Sequence, residues 1–359
     1  MKEPVRKALL WGGVFVACVV LAAVLYRFPF DGRGAKHPRE GAGPSRSAVT
    51  VLAFGDVNLG RLVGQKILAN DVQYPFERIS LSKGSVNVVF ANLESQLSSQ
   101  HGETQDPRHN MIFTGPPNGA LSLRRFGFTL VSTANNHAYD YGKRALFETL
   151  DHLDESSIVH VGTTRGVGEL YEPIMFEKNG IRFAFFATSD FMNFAGGWHD
   201  YVAMTDTSKL FPALREAAAA VDVVVVSVHG GDEYADEPTL HIREFDEACV
   251  RQGARIVIGH HPHVPYGVEK VGSSYIFHSL GNFVFYQPQH FWTQLSYAVE
   301  LKFEREGSGV SVTSVGFIPL KAGYQPSVLK DSAQVAQLRE RVQSISNIPI
   351  TMTTKDYLR

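Results

Sequence analysis

The chain has 359 residues and only two cysteines. Cys18 lies in an apolar run near the N-terminus and Cys249 in an expected helix, so no disulfide framework is available, and the redox compartment stays open. There is no excess of one charge. Lys and Arg number 34, Asp and Glu 36, for a formal net charge of −2. The basic footprint of a nucleic-acid binder is absent, and so is an acidic tail. No internal repeat is evident. What is abundant is apolar material, 44% of the chain with 11% aromatic, enough for one large domain or two modest ones.

One stretch lacks charge altogether. Residues 8–26 read "ALLWGGVFVACVVLAAVLY". At about 1.5 Å per residue such a helix just spans a hydrocarbon core of roughly 30 Å. A cleaved signal peptide is the competing reading, but the run is long for one and no small-x-small cleavage site follows it. Residues 1–7 are expected to be a short tail, 8–26 a transmembrane anchor, and 27–48, rich in Gly, Pro and charge, a flexible linker. Lys2, Arg6 and Lys7 precede the span, and Arg27, Arg33, Lys36 and Arg39 follow it, so charge counting does not orient it. A short tail, one span and a large domain is the usual signal-anchor layout. It predicts a single-pass protein of the cell membrane with an extracytoplasmic domain.

From residue 49 the pattern alternates strand and helix. "VTVLAFGD", "VNVVFANLE", "FTLVSTANNH", "DVVVVSVHG" and "ARIVIGHH" are apolar runs whose last residues turn polar. Such runs suit strands buried on both faces. Helices are expected at about 59–70, 116–126, 142–155, 207–219 and 238–252, which together predict a layered α/β domain over 49–325. Asn179-Gly180 marks a hairpin. Beyond residue 264 the texture is mostly strand and reads as antiparallel, with "SSYIFHSLGNFVF" as one element. An amphipathic helix and a loose tail are expected over 326–359. "SQLSSQHGETQDPRHNMIFTGPP" and "SDFMNFAGGWHDYVAMTD" read as long loops, the second carrying Phe191, Phe194, Trp198 and Tyr201 as a wall beside a site or packed on the core.

The chemistry gathers at the strand ends. Asp56, Asn58 and Arg61 follow the first strand, Asn92 and Glu94 the second, Asn135, Asn136, His137 and Asp140 the third. His229, Asp232 and Glu233 follow a later one, and "VIGHHPHVPYGVE" brings His260, His261 and His263. Ligands of open α/β sheets bind outside the carboxyl ends of the strands. Carboxylates, amides and imidazoles are the donors for first-row divalent metals. Singly, each residue reads more simply as a helix cap, a turn or a core histidine; jointly, at the ends of strands of one α/β unit, they predict a metal site. His261-x-His263 on an extended strand would place both rings on one face, with His260 pointing away. Carboxylates shared between imidazoles suit two ions about 3.5–4 Å apart, the usual arrangement for phosphate-ester hydrolysis.

"FGDVNLGR", "ANLES", "STANNHAYDYG", "HGGDEY", "IVIGHHPHVPYGVE" and "SLGNFVF" resemble, in this order, the motifs of the CapA (PgsA) family of bacterial capsule and poly-γ-glutamate synthesis proteins. The resemblance covers about residues 49–320. It implies an α/β/β/α calcineurin-like metallophosphoesterase fold behind one N-terminal transmembrane helix. It implies Asp56, Asn58, Glu94, Asn136, His229, His261 and His263 as ligands of one or two divalent ions (Mn, Fe or Zn), Glu94 standing where the wider superfamily has a bridging aspartate. His137 would be the general acid. Arg61, Asn92, Asp140, Glu233 and Asn282 would contact ligands or substrate, with Asp140 or Glu233 orienting a ligand histidine and Arg61 holding an anion. His260 would be a bystander turned to solvent or a neighbouring loop, dispensable for the metal. The superfamily's Asp-x-His is Asp-x-Asn here, and the family's "HWG" reads "HGG", Gly230 replacing a tryptophan whose wall Trp198 or Tyr234 would supply. The expected partners are an anionic polymer or phosphate-containing envelope substrate, the membrane and a membrane-bound capsule synthesis complex. A metal-dependent phosphodiesterase of the envelope and a non-catalytic polymer assembly or export subunit are the alternative functions.

Overall fold

The computed structural model describes residues 47–359. The expected anchor over 8–26 and nearly all of the linker lie outside the described residues; among those described, no helix is long and apolar enough to cross a membrane.

The strands run, in chain order, β1 Ala48–Val57, β2 Val88–Leu93, β3 Gln96–Leu97, β4 Gln105–Asp106, β5 His109–Gly115, β6 Leu130–Ser132, β7 Val159–Val161, β8 Ile174–Lys178, β9 Ile181–Ser189, β10 Val223–His229, β11 Ile256–His260, β12 Val268–Val271, β13 Ser274–Phe277, β14 Asn282–Val284, β15 Leu295–Glu306, β16 Gly309–Lys321 and β17 Ser327–Val328. One sheet has the order β17-β16-β15-β1-β2-β6-β7, with β14 also against β1; the other has the order β12-β13-β11-β10-β9-β8. The first is parallel from β1 to β7 and the second from β9 through β10 and β11 to β13.

The sheets face each other across one apolar layer, where Val51, Ala53 and Phe90 of the first meet Phe183, Phe185, Val225 and Ile258 of the second. That explains the continuous apolar runs, because each central strand is covered on both sides. The outer face of the first sheet packs Leu52, Phe54 and Phe283 against Val63 and Ile67 of the helix Arg61–Leu68 and Leu123 and Phe126 of the helix Gly119–Phe126. The outer face of the second packs Val224 and Val226 against Leu210 and Leu214 of the helix Thr207–Ala220 and Ile242 and Phe245 of the helix Leu240–Arg251. The layers are helix, sheet, sheet, helix, as expected. Asn179 and Gly180 turn the β8–β9 hairpin with φ of +49° and +74°, the doubly positive pair of a type I′ turn.

Three expectations need correction. "SSYIFHSLGNFVF" is two strands in two sheets: β13 lies parallel to β11, and β14 parallel to β1. Residues 278–281 cross between the layers so closely that a Cβ on Gly55 would lie 1.7 Å from Gly281 O, and one on Gly259 1.9 Å from His278 O. A periodic apolar pattern says which faces are buried but not which sheet a strand joins. The long segment after β2 is built as the small sheet β3-β5-β4 rather than an open loop. The C-terminal tail is not loose: Ile350 and Leu358 are buried, and Ser80 and Arg359 exchange backbone hydrogen bonds at 2.7 and 3.0 Å. Leu338 and Val342 of the helix Ser332–Ser344 join the central core.

At the crossing, buried His278 holds a carboxylate on each ring nitrogen, Asp246 at 2.9 Å and Glu269 at 3.4 Å. Burial alone would lower its pKa; the two carboxylates outweigh it and raise it to about 9.

Candidate metal centre

Asp56 sits at the middle of the first sheet's carboxyl edge, in register with Asn92 on β2 and Asn282 on β14. His229 and His260 end neighbouring strands of the second sheet, in register with each other. Both layers therefore deliver their polar strand ends to one place, which is why the apolar runs stop where they do.

Asp56 is completely buried and fully engaged. Its Oδ1 accepts from Asn92 Nδ2 at 2.9 Å and faces His260 Nδ1 at 3.1 Å. Its Oδ2 accepts the His261 backbone N–H at 3.3 Å and faces His263 Nδ1 at 3.4 Å. Burial pushes its pKa up, but the hydrogen bonds and charges of His260 and His263 outweigh this and hold it well below the ordinary carboxylate value. His260 is thus not a bystander. Its ring is buried against Asp56, because the last residue of β11 points at the facing sheet rather than at solvent.

Glu94 behaves oppositely. Its Oε1 lies 3.6 Å from His263 Nε2 and 3.7 Å from His229 Nε2, yet it is buried with no hydrogen-bond partner. Burial, then the charges of Asp56, Glu233 and Asp140, raise its pKa well above the ordinary value. His261 Nδ1 is likewise buried and unpartnered. Burial, then the charge of His263, lowers the His261 pKa to about 3, and burial lowers that of His229 well below the usual value. His229 and His261, held neutral by burial, beside a carboxylate oxygen that has no donor fit a cation. Asp56, Glu94 and His263 present atoms within 4.8 Å of one another, as do Glu94, His229 and His261, and Glu233, His261 and His263.

The amides hold this set in place. Asn92 Nδ2 lies 2.9 Å from Asp56, 3.5 Å from Glu94 Oε2 and 3.2 Å from His229 Nδ1. Asn135 Nδ2 donates to Asn92 Oδ1 at 3.1 Å. Asn136 Oδ1 lies 2.9 Å from His229 Nε2. Asn282 Oδ1 lies 2.9 Å from His263 Nδ1, so Asn282, rather than Asp140 or Glu233, orients that ring. Asn58 is buried with its Oδ1 on the Gly60 N–H at 2.7 Å, the turn role an Asn after a strand commonly plays.

His261 and His263 meet for a reason other than strand geometry. β11 ends at His260, and both residues have positive φ, +97° and +60°. Non-glycine residues seldom adopt this backbone, and where they do a site is often nearby.

His137 is buried beside them. Its Nδ1 lies 2.9 Å from Asp140 Oδ2, and its ring stacks on Phe113 at 4.1 Å. Asp140 also accepts the Phe113 N–H at 2.9 Å, and burial raises its pKa. Asp140 therefore orients the expected acid rather than a ligand. A cavity of about 290 Å³ opens over His137 and His263, lined also by Arg61, Tyr234, Phe285 and Gln287. The Arg61 guanidinium lies 4.7 Å over the Phe113 ring, and its Nη2 donates to Asn110 O at 2.8 Å.

Sequence reasoning missed the segment "FYQPQHFW" over 285–292. Gln287 Nε2 donates to the Tyr234 hydroxyl at 3.0 Å, Asn282 Nδ2 donates to Gln287 Oε1 at 3.0 Å, and Tyr234 stacks on His290 at 4.3 Å. Its density of amides and aromatics directly after "SLGN" was the available signal. The aromatic loop over 189–206 does both things expected of it. Phe191 stands edge-on to His261 at 4.7 Å and Asn193 Oδ1 accepts from Asn136 Nδ2 at 3.2 Å, while Trp198 packs on the core. At Gly230 a Cβ would meet Asp190 Cβ at 2.6 Å and Ile242 Cδ1 at 2.7 Å, so no larger residue fits. Tyr234 stands 6.2 Å from the His263 ring and Phe285 4.7 Å from it.

Residues 50–287 match the family described as "Bacterial capsule synthesis protein PGA_cap". The chain belongs to that family. Every strand-end residue described above lies within the matched span. Among relatives of the family, the chain is 26% identical over 343 residues to the "PGA biosynthesis protein CapA" of Bacillus subtilis (strain 168), covering 93% of this chain and 87% of that one. It is 26% identical over 282 residues to the "Capsule biosynthesis protein CapA" of Bacillus anthracis, covering 76% and 67%. Among solved structures it is similar to a putative 5'-nucleotidase from Staphylococcus aureus in complex with alpha-ketoglutarate, with TM-score 0.46 and 14% identity over 83% of this chain and 58% of that one. It is also similar to the calcineurin-like phosphoesterase YfkN of Bacillus subtilis, with TM-score 0.44 and 14% identity over 83% and 97%. Neither likeness carries a function to this chain.

Proposed function

We propose that this member of the capsule synthesis family is a divalent-metal-dependent phosphoester hydrolase. It is anchored in the cell membrane by residues 8–26, with its domain outside the cytoplasm, and acts on an anionic, phosphate-containing envelope substrate in the making of a poly-γ-glutamate-type polymer. The polymer is the one suggested by the names of its relatives. The observation that carries the hydrolase reading is Glu94: one buried carboxylate, whose Oε1 has no hydrogen-bond partner, belongs to two candidate ligand groups at once, Asp56–Glu94–His263 and Glu94–His229–His261. That is the donor set for two ions sharing a carboxylate.

Divalent ions bound there supply Lewis acidity and bring the pKa of water towards neutrality. The chain's own residues do the rest. Asn92 fixes Asp56, Glu94 and His229 together, and Asn282 fixes His263. His137, oriented by Asp140, delivers a proton to the departing oxygen. Arg61, held over the Phe113 ring at the cavity wall, pairs with an anionic oxygen of the substrate.

The test is hydrolysis of bis(4-nitrophenyl) phosphate by the purified full chain with added Mn²⁺. Activity that falls about 10²–10⁴-fold in His137→Ala is expected. Polymer output that depends on the chain without measurable hydrolysis by any divalent-metal form would leave the non-catalytic assembly role instead.

A further inference from the structure

We propose that Glu233 is a detachable ligand on the His261–His263 side of the metal centre, occupying the position that substrate must take. The proposal rests on the metal-centre reading above and adds to it a residue held by a loop rather than a strand end.

A carboxylate oxygen of Glu233 and ring nitrogens of His261 and His263 lie within 4.8 Å of one another. Asp56 and Glu94 are wholly buried, whereas Glu233 is only half-buried. Of the three acidic residues in these ligand groups it is therefore the one that solvent reaches. On the protein side His261 is walled by Phe191, and its Nδ1 is buried without a hydrogen-bond partner. An unsatisfied buried nitrogen is costly unless something takes its lone pair or proton, which makes this a ligand position independently of the acid nearby.

The loop that carries Glu233 is tied to these histidines by two routes. Tyr234, at φ +62°, donates its backbone N–H to Pro262 O at 3.0 Å, between the two rings. Its hydroxyl accepts from Gln287 Nε2 at 3.0 Å, Gln287 Oε1 accepts from Asn282 Nδ2 at 3.0 Å, and Asn282 Oδ1 faces His263 Nδ1 at 2.9 Å. A shift of the Glu233–Tyr234 segment is thus transmitted to the His263 ring.

Catalytic metal sites keep one position for water or substrate. Glu233 fills that position when substrate is absent, and an anionic substrate oxygen displaces it. The carboxylate therefore strengthens metal retention and weakens anion binding.

The test is calorimetric titration of Mn²⁺ into the metal-stripped full chain in detergent micelles, wild type against Glu233→Gln, followed by titration of inorganic phosphate into each Mn-loaded protein. Thermal unfolding in chelator checks that the variant folds; if it does not, Glu233→Asp, with its shorter reach, is expected to weaken the same equivalent. One Mn²⁺ equivalent is expected to weaken on the order of 10- to 100-fold, and phosphate binding to tighten. A variant with an unchanged Mn²⁺ isotherm, or with phosphate affinity that does not rise, overturns the assignment of Glu233 alone. A wild type that takes up no Mn²⁺ overturns the metal-centre reading itself.

Discussion

His260 Nδ1 lies 3.1 Å from Asp56 Oδ1, both side chains fully buried. The relationship joins the two sheets at the site, because Asp56 is the last residue but one of β1 in one sheet and His260 ends β11 of the other. The histidine that the His-x-His pattern left aside is the brace of the first-strand carboxylate.

His260→Ala is accordingly expected to weaken the metal, not to leave it untouched. Asp56 would keep Asn92 on Oδ1 but lose the imidazole. Loss of a residue that orients a ligand typically costs 10- to 100-fold in metal affinity, and breaking a buried hydrogen bond about 1–3 kcal/mol. Metal titration and denaturant unfolding of the variant measure both; wild-type affinity would return His260 to the role of bystander.

Gly55→Ala tests the crossing that brings Asn282 to Asp56. The added Cβ would lie 1.7 Å from Gly281 O, a backbone atom that cannot swing aside. The variant is expected to lose about 1–3 kcal/mol or more, and to lose metal affinity with it, since Gly55 precedes Asp56 and Gly281 precedes Asn282. Stability and metal content that both match wild type would show that the crossing has more room.

Much of this site was legible before the structure. The apolar runs that turn polar, "FGD", "ANLE", "NNH", "VHGGDE", mark strands covered on both faces whose ends reach one edge, and Asp56, Glu94, Asn136, His137, His229, His261 and His263 do converge. What was not legible depends on backbone dihedrals and on sheet membership. The positive φ of His261 and His263 takes them off the strand, so the face rule for i and i+2 does not apply and the place of His260 could not be inferred from it. The division of "SSYIFHSLGNFVF" between two sheets, which puts Asn282 on His263, leaves no trace in hydrophobic periodicity.

Stability should carry the signature of His278. Its folded pKa, raised to about 9 by Asp246 and Glu269 against the effect of burial, exceeds the ordinary value near 6.5. The stabilisation is therefore complete below about pH 6.5, where the unfolded chain is also protonated, and is lost as pH rises through about 9. Denaturant unfolding at pH 6.5 and pH 10, wild type minus His278→Gln, is expected to show a difference that shrinks at the higher pH. A difference independent of pH would mean that His278 is neutral in the folded protein.

The central claim is that Glu94 is shared by two ions. Metal analysis of the purified full chain, wild type against Glu94→Gln, tests it most directly. The account predicts two equivalents of divalent metal per wild-type chain and loss of both in the variant, because Asp56–Glu94–His263 and Glu94–His229–His261 have that carboxylate in common. A wild-type chain without stoichiometric metal, or a Glu94→Gln variant that retains both equivalents, would contradict it.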